Sequence, residues 1–308
     1  MGVDANDLTT RTPTHVLPDI VAGMAHRHLG VFTIALASCL ALAAAEPSWA
    51  PDEKPIAEQL GKLRNVPDSQ RGGVTRRLAL EIRRLPAANN KVRLAYALAN
   101  LSTEGDFGTK TLSDVAATLS AALAEQPQPD VNGVPAGPYI TLAQLARYEQ
   151  IPVTLDAPSY RAALAKLEED DRRRATAEIR LLDVHGKEWT LDALRGKVVI
   201  VNFWATWCPP CRKELPDLQA LYLRFADRGL VVLAISDENA DKVSQFLASS
   251  AITFPVLLDH GRRVSESFGV EGIPKSFVYD REGKLVATAI DMRTRHQFLD
   301  MLARAGLK

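Results

Sequence analysis

The chain has 308 residues, 46% of them hydrophobic, and its 37 Lys plus Arg balance 37 Asp plus Glu to a net charge of zero. Three cysteines, 18 glycines and 18 prolines exclude a disulfide-stapled miniprotein, a collagen-like repeat and a globally disordered chain. The length holds one large domain or two ordinary ones, and the lack of a basic excess argues against general nucleic-acid binding.

Residues 29–45, LGVFTIALASCLALAAA, carry no charge. They follow Arg27 and precede Ser48-Trp49-Ala50, which gives a basic stretch, an apolar core and a small-x-small site, the layout of an export leader. The run is at the short limit for a bilayer span. Asp4, Asp7 and Asp19 are unusual before such a core, and a start at Met24 would remove them. The expectation is a leader over residues 1–50, cleaved after Ala50 or kept as a membrane anchor. Leu36-Ala37-Ser38-Cys39 also resembles a lipoprotein box, which makes Cys39 a lipidation candidate. A buried N-terminal helix is the plainer alternative. Loss of the leader leaves two cysteines and a net charge of +2.

Residues 51–170 read as an all-α domain of four to six helices. Val74, Leu78, Ile82 and Leu85 recur at helical spacing, as do Leu112, Val115, Leu119 and Leu123. Tyr160, Leu164 and Leu167 form a shorter stripe after the start signal at Asp156 and Pro158. Pro86, the GDFG segment around Gly105 and the stretch from Pro127 to Pro138 separate the helices. These stripes are packing faces, and the segment holds no cysteine or histidine with which to build a metal or nucleophilic centre. The charged run Glu169 to Arg174 reads as a solvated surface where the last helix meets a linker.

Residues 171–308 alternate between strands and helices. Strands are expected at Ile179–Leu182, Val198–Ala205, Val231–Ile235, Phe254–Leu257, Ser276–Tyr279 and Leu285–Ile290. Helices are expected at Pro209–Arg228, Asp241–Ser249 and His296–Ala305. Val198–Ala205, VVIVNFWA, is almost continuously apolar, as for a strand covered on both faces. The pattern is an α/β domain with a mixed sheet.

The chemistry centres on Trp207-Cys208-Pro209-Pro210-Cys211, placed between a buried strand and a helix. Cys208 at an exposed helix N-terminus would meet free N–H groups and the positive end of the dipole, which favour a thiolate. It can attack a partner disulfide, and Cys211, one turn on, can resolve the mixed disulfide. Pro209 and Pro210 stiffen the loop between the sulfurs. A structural zinc would need about four ligands, and only His185, His260 and His296 remain in this half, widely spaced. A purely structural disulfide is the other alternative; so short a loop would stabilise little.

The stretch Gly196 to Leu218, GKVVIVNFWATWCPPCRKELPDL, resembles the TlpA/ResA family of exported thioredoxin-like proteins. Glu214-Leu215-Pro216, Phe254-Pro255-Val256, Phe268-Gly269-Val270 and Gly272-Ile273-Pro274 follow in the family's order. The resemblance covers roughly Ala175 to Lys308. It implies a thioredoxin-like α/β fold beside the separate all-α domain, export to the periplasm or the outer face of a membrane, and thiol–disulfide oxidoreductase activity. Many members are reductants, including in cytochrome c maturation. Cys208 then matches the attacking and Cys211 the resolving cysteine. Pro274 matches the cis-proline, after which the Ile273 backbone is free to pair with a substrate chain. Glu214 matches a glutamate near the active site, able to exchange protons with Cys211 if buried, or else a plain surface carboxylate. Trp207 is expected to shield the sulfurs, whereas Trp204 either flanks the site or packs. Two departures stand out. Lys275 replaces a threonine-rich strand start and would favour acidic partners, depress a thiol pKa or face solvent. Asp291 stands where glycine is common, so the loop there should differ.

The expected function is disulfide exchange with exported protein thiols, with no metal or organic cofactor. A membrane electron donor or recycling oxidoreductase is implied as a partner, with membrane attachment through the leader or Cys39. Two alternatives stay open: a helical protein-binding scaffold with a redox-sensing dithiol, and a thiol peroxidase.

Overall fold

A computed structural model describes residues 48–308. Residues 1–47 of the leader, with Met24 and Cys39, lie outside the described residues, and residues 48–308 pack as one compact unit. Six helices come first: α1 (Lys54–Lys62), α2 (Asp68–Arg84), α3 (Asn89–Ser102), α4 (Thr109–Glu125), α5 (Gly137–Tyr148) and α6 (Pro158–Thr176). The apolar stripes close on one another. Leu78, Ile82, Leu98, Val115, Leu119, Leu142 and Ala163 are fully buried in a shared core, as the helical spacing requires.

The charged run beginning at Glu169 is solvated only in part: Glu169, Arg172 and Arg173 are exposed. It continues α6, and Asp170 and Arg174 are buried. The Arg174 Nε donates to the Phe268 carbonyl at 2.9 Å, its guanidinium lies over the Phe277 ring, and its carbonyl accepts from the Tyr279 hydroxyl at 2.9 Å. An arginine with a long apolar stem and five donors can bridge an aromatic core and backbone acceptors, so the charge faces inward onto the following α/β part. Within that part, Gly269 has φ +62°, and a Cβ there would come within 2.9 Å of the Arg173 Nη2. This turn favours glycine for its backbone, while the Arg173 side chain is flexible and can give way.

The α/β part opens with the antiparallel pair β1 (Arg180–Leu182) and β2 (Glu188–Thr190). The main sheet contains β3 (Val198–Phe203), β4 (Leu230–Ser236), β5 (Val256–Leu258), β6 (Lys275–Tyr279) and β7 (Leu285–Thr288), in the order β5-β4-β3-β6-β7. Strands β3, β4 and β5 run parallel, whereas β6 and β7 pair antiparallel. The helices are α7 (Pro209–Phe225), α8 (Ala240–Ala248), α9 (Arg263–Ser267) and α10 (Arg295–Arg304). The last strand stops at Thr288, two residues short of expectation, and β2 and α9 are additions. Both are too short for periodicity to reveal; α9 is anchored by the Asp259 carboxylate, which accepts from the backbone N–H groups of Val264 and Ser265.

Strand β3 is buried along its whole length. Val198 and Ile200 enter the core shared with Leu218 of α7 and Phe298 of α10, while Val199, Val201 and Phe203 face the core of Phe268 and Phe277. The period of two along a strand explains the division. This is a thioredoxin fold, with the helical bundle preceding it.

Candidate active site

Strand β3 delivers the chain through Trp204 and Ala205 to the dithiol at the start of α7. Cys208 is the N-cap residue, with Pro209 and Pro210 in the first turn. Proline suits those positions because helix N-termini have no intrahelical use for their N–H groups. Cys208 and Cys211 are joined as a disulfide, and the Cys211 N–H points to the Cys208 sulfur at 3.2 Å. The Cys208 sulfur also lies 3.8 Å from the Ile273 carbonyl oxygen. In the disulfide this is a contact; a thiol there has an acceptor in reach.

Cys208 lies at the helix N-terminus, next to the exposed Pro209 and Pro210, but is itself only 2% exposed. Its sulfur turns inward, between Cys211 and the loop before β6. Trp207 is 68% exposed and lines a cavity of about 250 Å³ with Phe203, Ile235, Val270 and Ile273. Trp204 packs, buried against Phe246. Pro209 and Pro210 are exposed, and Pro274 is buried next to the half-buried Ile273. The Ile273–Pro274 peptide is cis, the geometry that the resemblance implies.

Glu214 lies one turn beyond Cys211, fully buried. One carboxylate oxygen accepts from the Asn202 side-chain amide at 2.8 Å and the other from the Arg293 backbone N–H at 2.6 Å. Burial pushes its pKa up to about 8, against the opposing pull of Arg293 and Asn202; loss of water disfavours the charged form more than these donors favour it. Asn202 and Ser276 are direct cross-strand partners on β3 and β6, and the same amide reaches the Ser276 hydroxyl at 2.9 Å. The surface-carboxylate alternative for Glu214 is thereby set aside.

Lys275 is half-buried, with its ammonium donating to the Ile290 carbonyl at 3.2 Å. Burial is the main cause of its pKa falling to about 8, and the charges of Arg174 and Arg293 add to it. It lines a cleft of about 580 Å³ shared with Asn100 and Gln144 of the helical part and with Ile273. The outward-facing alternative for this lysine does not hold.

Asn202 and Arg293 were not among the expected site residues. Asn202 had a signal, because it is the one polar residue in VVIVNFWA. Arg293 had none, since only folding brings it to Glu214. Among the described residues no group of three or more His, Cys, Asp or Glu could hold a metal ion.

Comparison with known proteins places this region. Residues 173–288 match the AhpC/TSA family. The thiol-disulfide oxidoreductase ResA of Bacillus thuringiensis (strain Al Hakam) is 38% identical over 116 residues, 37% of this chain and 67% of that protein. The ResA of Bacillus cereus (strain ATCC 10987 / NRS 248) is 31% identical over 146 residues, 47% of this chain and 84% of that protein. Among solved structures, a thiol:disulfide interchange protein of the thioredoxin family from Chlorobium tepidum TLS is 31% identical with a TM-score of 0.39, over 42% of this chain and 93% of that one. With its dithiol between β3 and α7 and most of a ResA matched at this identity, the chain belongs to the ResA-type thiol–disulfide oxidoreductases.

Proposed function

We propose that Cys208 and Cys211 exchange disulfides with protein thiols outside the cytoplasm, running as a reductant. The observation that carries this reading is the Cys208 sulfur at the N-terminus of α7 with the Cys211 N–H directed at it. A donor and a helix dipole at that atom favour the thiolate, which is the attacking form. In the reductive direction the Cys208 thiolate attacks one sulfur of the partner disulfide. That S–S bond breaks, a mixed disulfide forms and the partner's other sulfur leaves as a thiolate. Cys211, giving its proton to Glu214, then attacks Cys208 and releases the second partner thiolate. Two electrons pass to the partner, two protons complete its dithiol, and the enzyme is left as its disulfide. Pro274, Ile273, Trp207, Pro209, Pro210 and Lys275 form the surface that receives the partner chain.

Export rests on the leader, cleaved, retained or lipidated at Cys39. The reductant direction, with cytochrome c thiols among the substrates, rests on the family resemblance and requires a membrane electron donor or recycling oxidoreductase. Residues 51–170 act as a helical accessory domain to residues 171–308, with α6 crossing the border.

Trapping in the native compartment tests the reading. Cys211→Ser is expected to accumulate a mixed disulfide through Cys208 that reductant releases, and Cys208→Ser is expected to abolish turnover of a protein disulfide. If Cys211→Ser captures nothing and the wild-type protein stays inertly oxidised, the exchange reading fails.

A further inference from the structure

The loop after β7 links the helical part to the redox site. At one end, the Thr103 hydroxyl, just beyond α3, donates to the Asp291 carboxylate. At the other, the Arg293 guanidinium pairs with Glu149, just beyond α5. Those two side chains are only 5% and 13% exposed. Between these anchors the backbone turns so that the Arg293 N–H meets the Glu214 carboxylate at 2.6 Å. Asp291 and Arg293, like their partners Thr103 and Glu149, lie outside the family match at 173–288.

We propose that the helical part positions the carboxyl of the redox site, with Thr103 and Glu149 clamping Asp291–Arg293 so that the Arg293 N–H stays on Glu214. Thr103 and Glu149 are positioning residues and touch no reacting atom. The other groups that set Glu214 are Asn202 from β3, itself held by Ser276 of β6, and Asp217 from its own helix. Lys275 of β6 is coupled to the same segment through Asp291 and Arg293. The functional weight of the clamp rests on the reading of Glu214 as proton acceptor, but the clamp can be measured separately.

The test uses the full-length oxidised protein, in which neither cysteine titrates. Infrared difference spectra follow the protonated Glu214 carboxyl with pH, and Glu214→Gln identifies its band. Thr103→Val frees the loop without changing any charge, and Arg293→Met removes a charge that favours the carboxylate. Each is expected to raise the midpoint by about half a unit or more. The pair Glu149→Gln with Arg293→Met repeats the second arm without leaving Glu149 buried and unpaired. Asp68→Asn, which breaks the exposed Lys213–Asp68 contact between the same two parts, is expected to leave the midpoint unchanged. An unmoved midpoint in folded Thr103→Val overturns the clamp even where the Arg293 variants move, because loss of the Arg293 charge raises the midpoint by itself; an equal shift in Asp68→Asn overturns it too. A shifted midpoint with an unaltered pH profile of disulfide exchange upholds the clamp and removes Glu214 from proton transfer.

Discussion

Glu214 carries the clearest single-residue consequence. Its pKa rises from 4.5 to about 8 in the folded protein, chiefly through burial. The folded state therefore holds a proton that the unfolded chain has already released, and stability must fall as pH rises from about 4.5 to about 8. Lys275, lowered to about 8, is charged in both states below that pH, so it does not mask the effect. Denaturant midpoints should decline across this window in the wild-type protein, and Glu214→Gln should flatten the decline. An unchanged slope in that variant would remove Glu214 as its source. Asn202 is held to the same site by two hydrogen bonds, to Glu214 and Ser276. Asn202→Ala leaves both partners short of a donor in a dry interior, and a loss of about 1–3 kcal/mol in urea unfolding is expected.

At the scale of elements, two helix starts organise the site. The first is α7, whose N-cap is the redox cysteine itself. The second is α10, where Thr294 and Gln297 form a reciprocal capping box, and Gln297 also reaches the Gly105 carbonyl of the helical part at 3.3 Å. Thr294→Ala should cost about 1 kcal/mol of stability in chemical denaturation. Most elements that bear on function were legible from the sequence, because each has either a long apolar run, as in β3, or a clear helical stripe, as in α7. The short pieces β2 and α9 were not, since they depend on strand pairing and on the Asp259 carboxylate rather than on their own periodicity. Within Glu169 to Arg174, the burial of Asp170 and Arg174 was not legible for a related reason: a run of charges carries no local sign of which face will be covered.

On the scale of the whole molecule, Arg174 is the most informative joint. It is buried and bonds to Phe268, lies over Phe277 and pairs with Asp171. Arg174→Ala removes this packing and leaves the Phe268 carbonyl and Asp171 without a partner they now have. A loss of about 3 kcal/mol is expected, and calorimetry should show a broader or more clearly split unfolding transition than in the wild-type protein as the helical and α/β parts uncouple. The apolar periodicities and the Cys-x-x-Cys pair by themselves determined the order of the longer elements, the division into an all-α and an α/β part and the position of the dithiol, while the thioredoxin-like fold was implied by the family resemblance. They sufficed because strand and helix periods and a motif spanning four residues are local properties of a chain. Only the tertiary structure decided that Cys208 turns inward, that Glu214 is dry, and that Thr103 and Glu149 reach a loop almost two hundred and almost a hundred and fifty residues away. Burial and long-range pairing arise when distant surfaces close on each other, and no local pattern encodes which surfaces those will be.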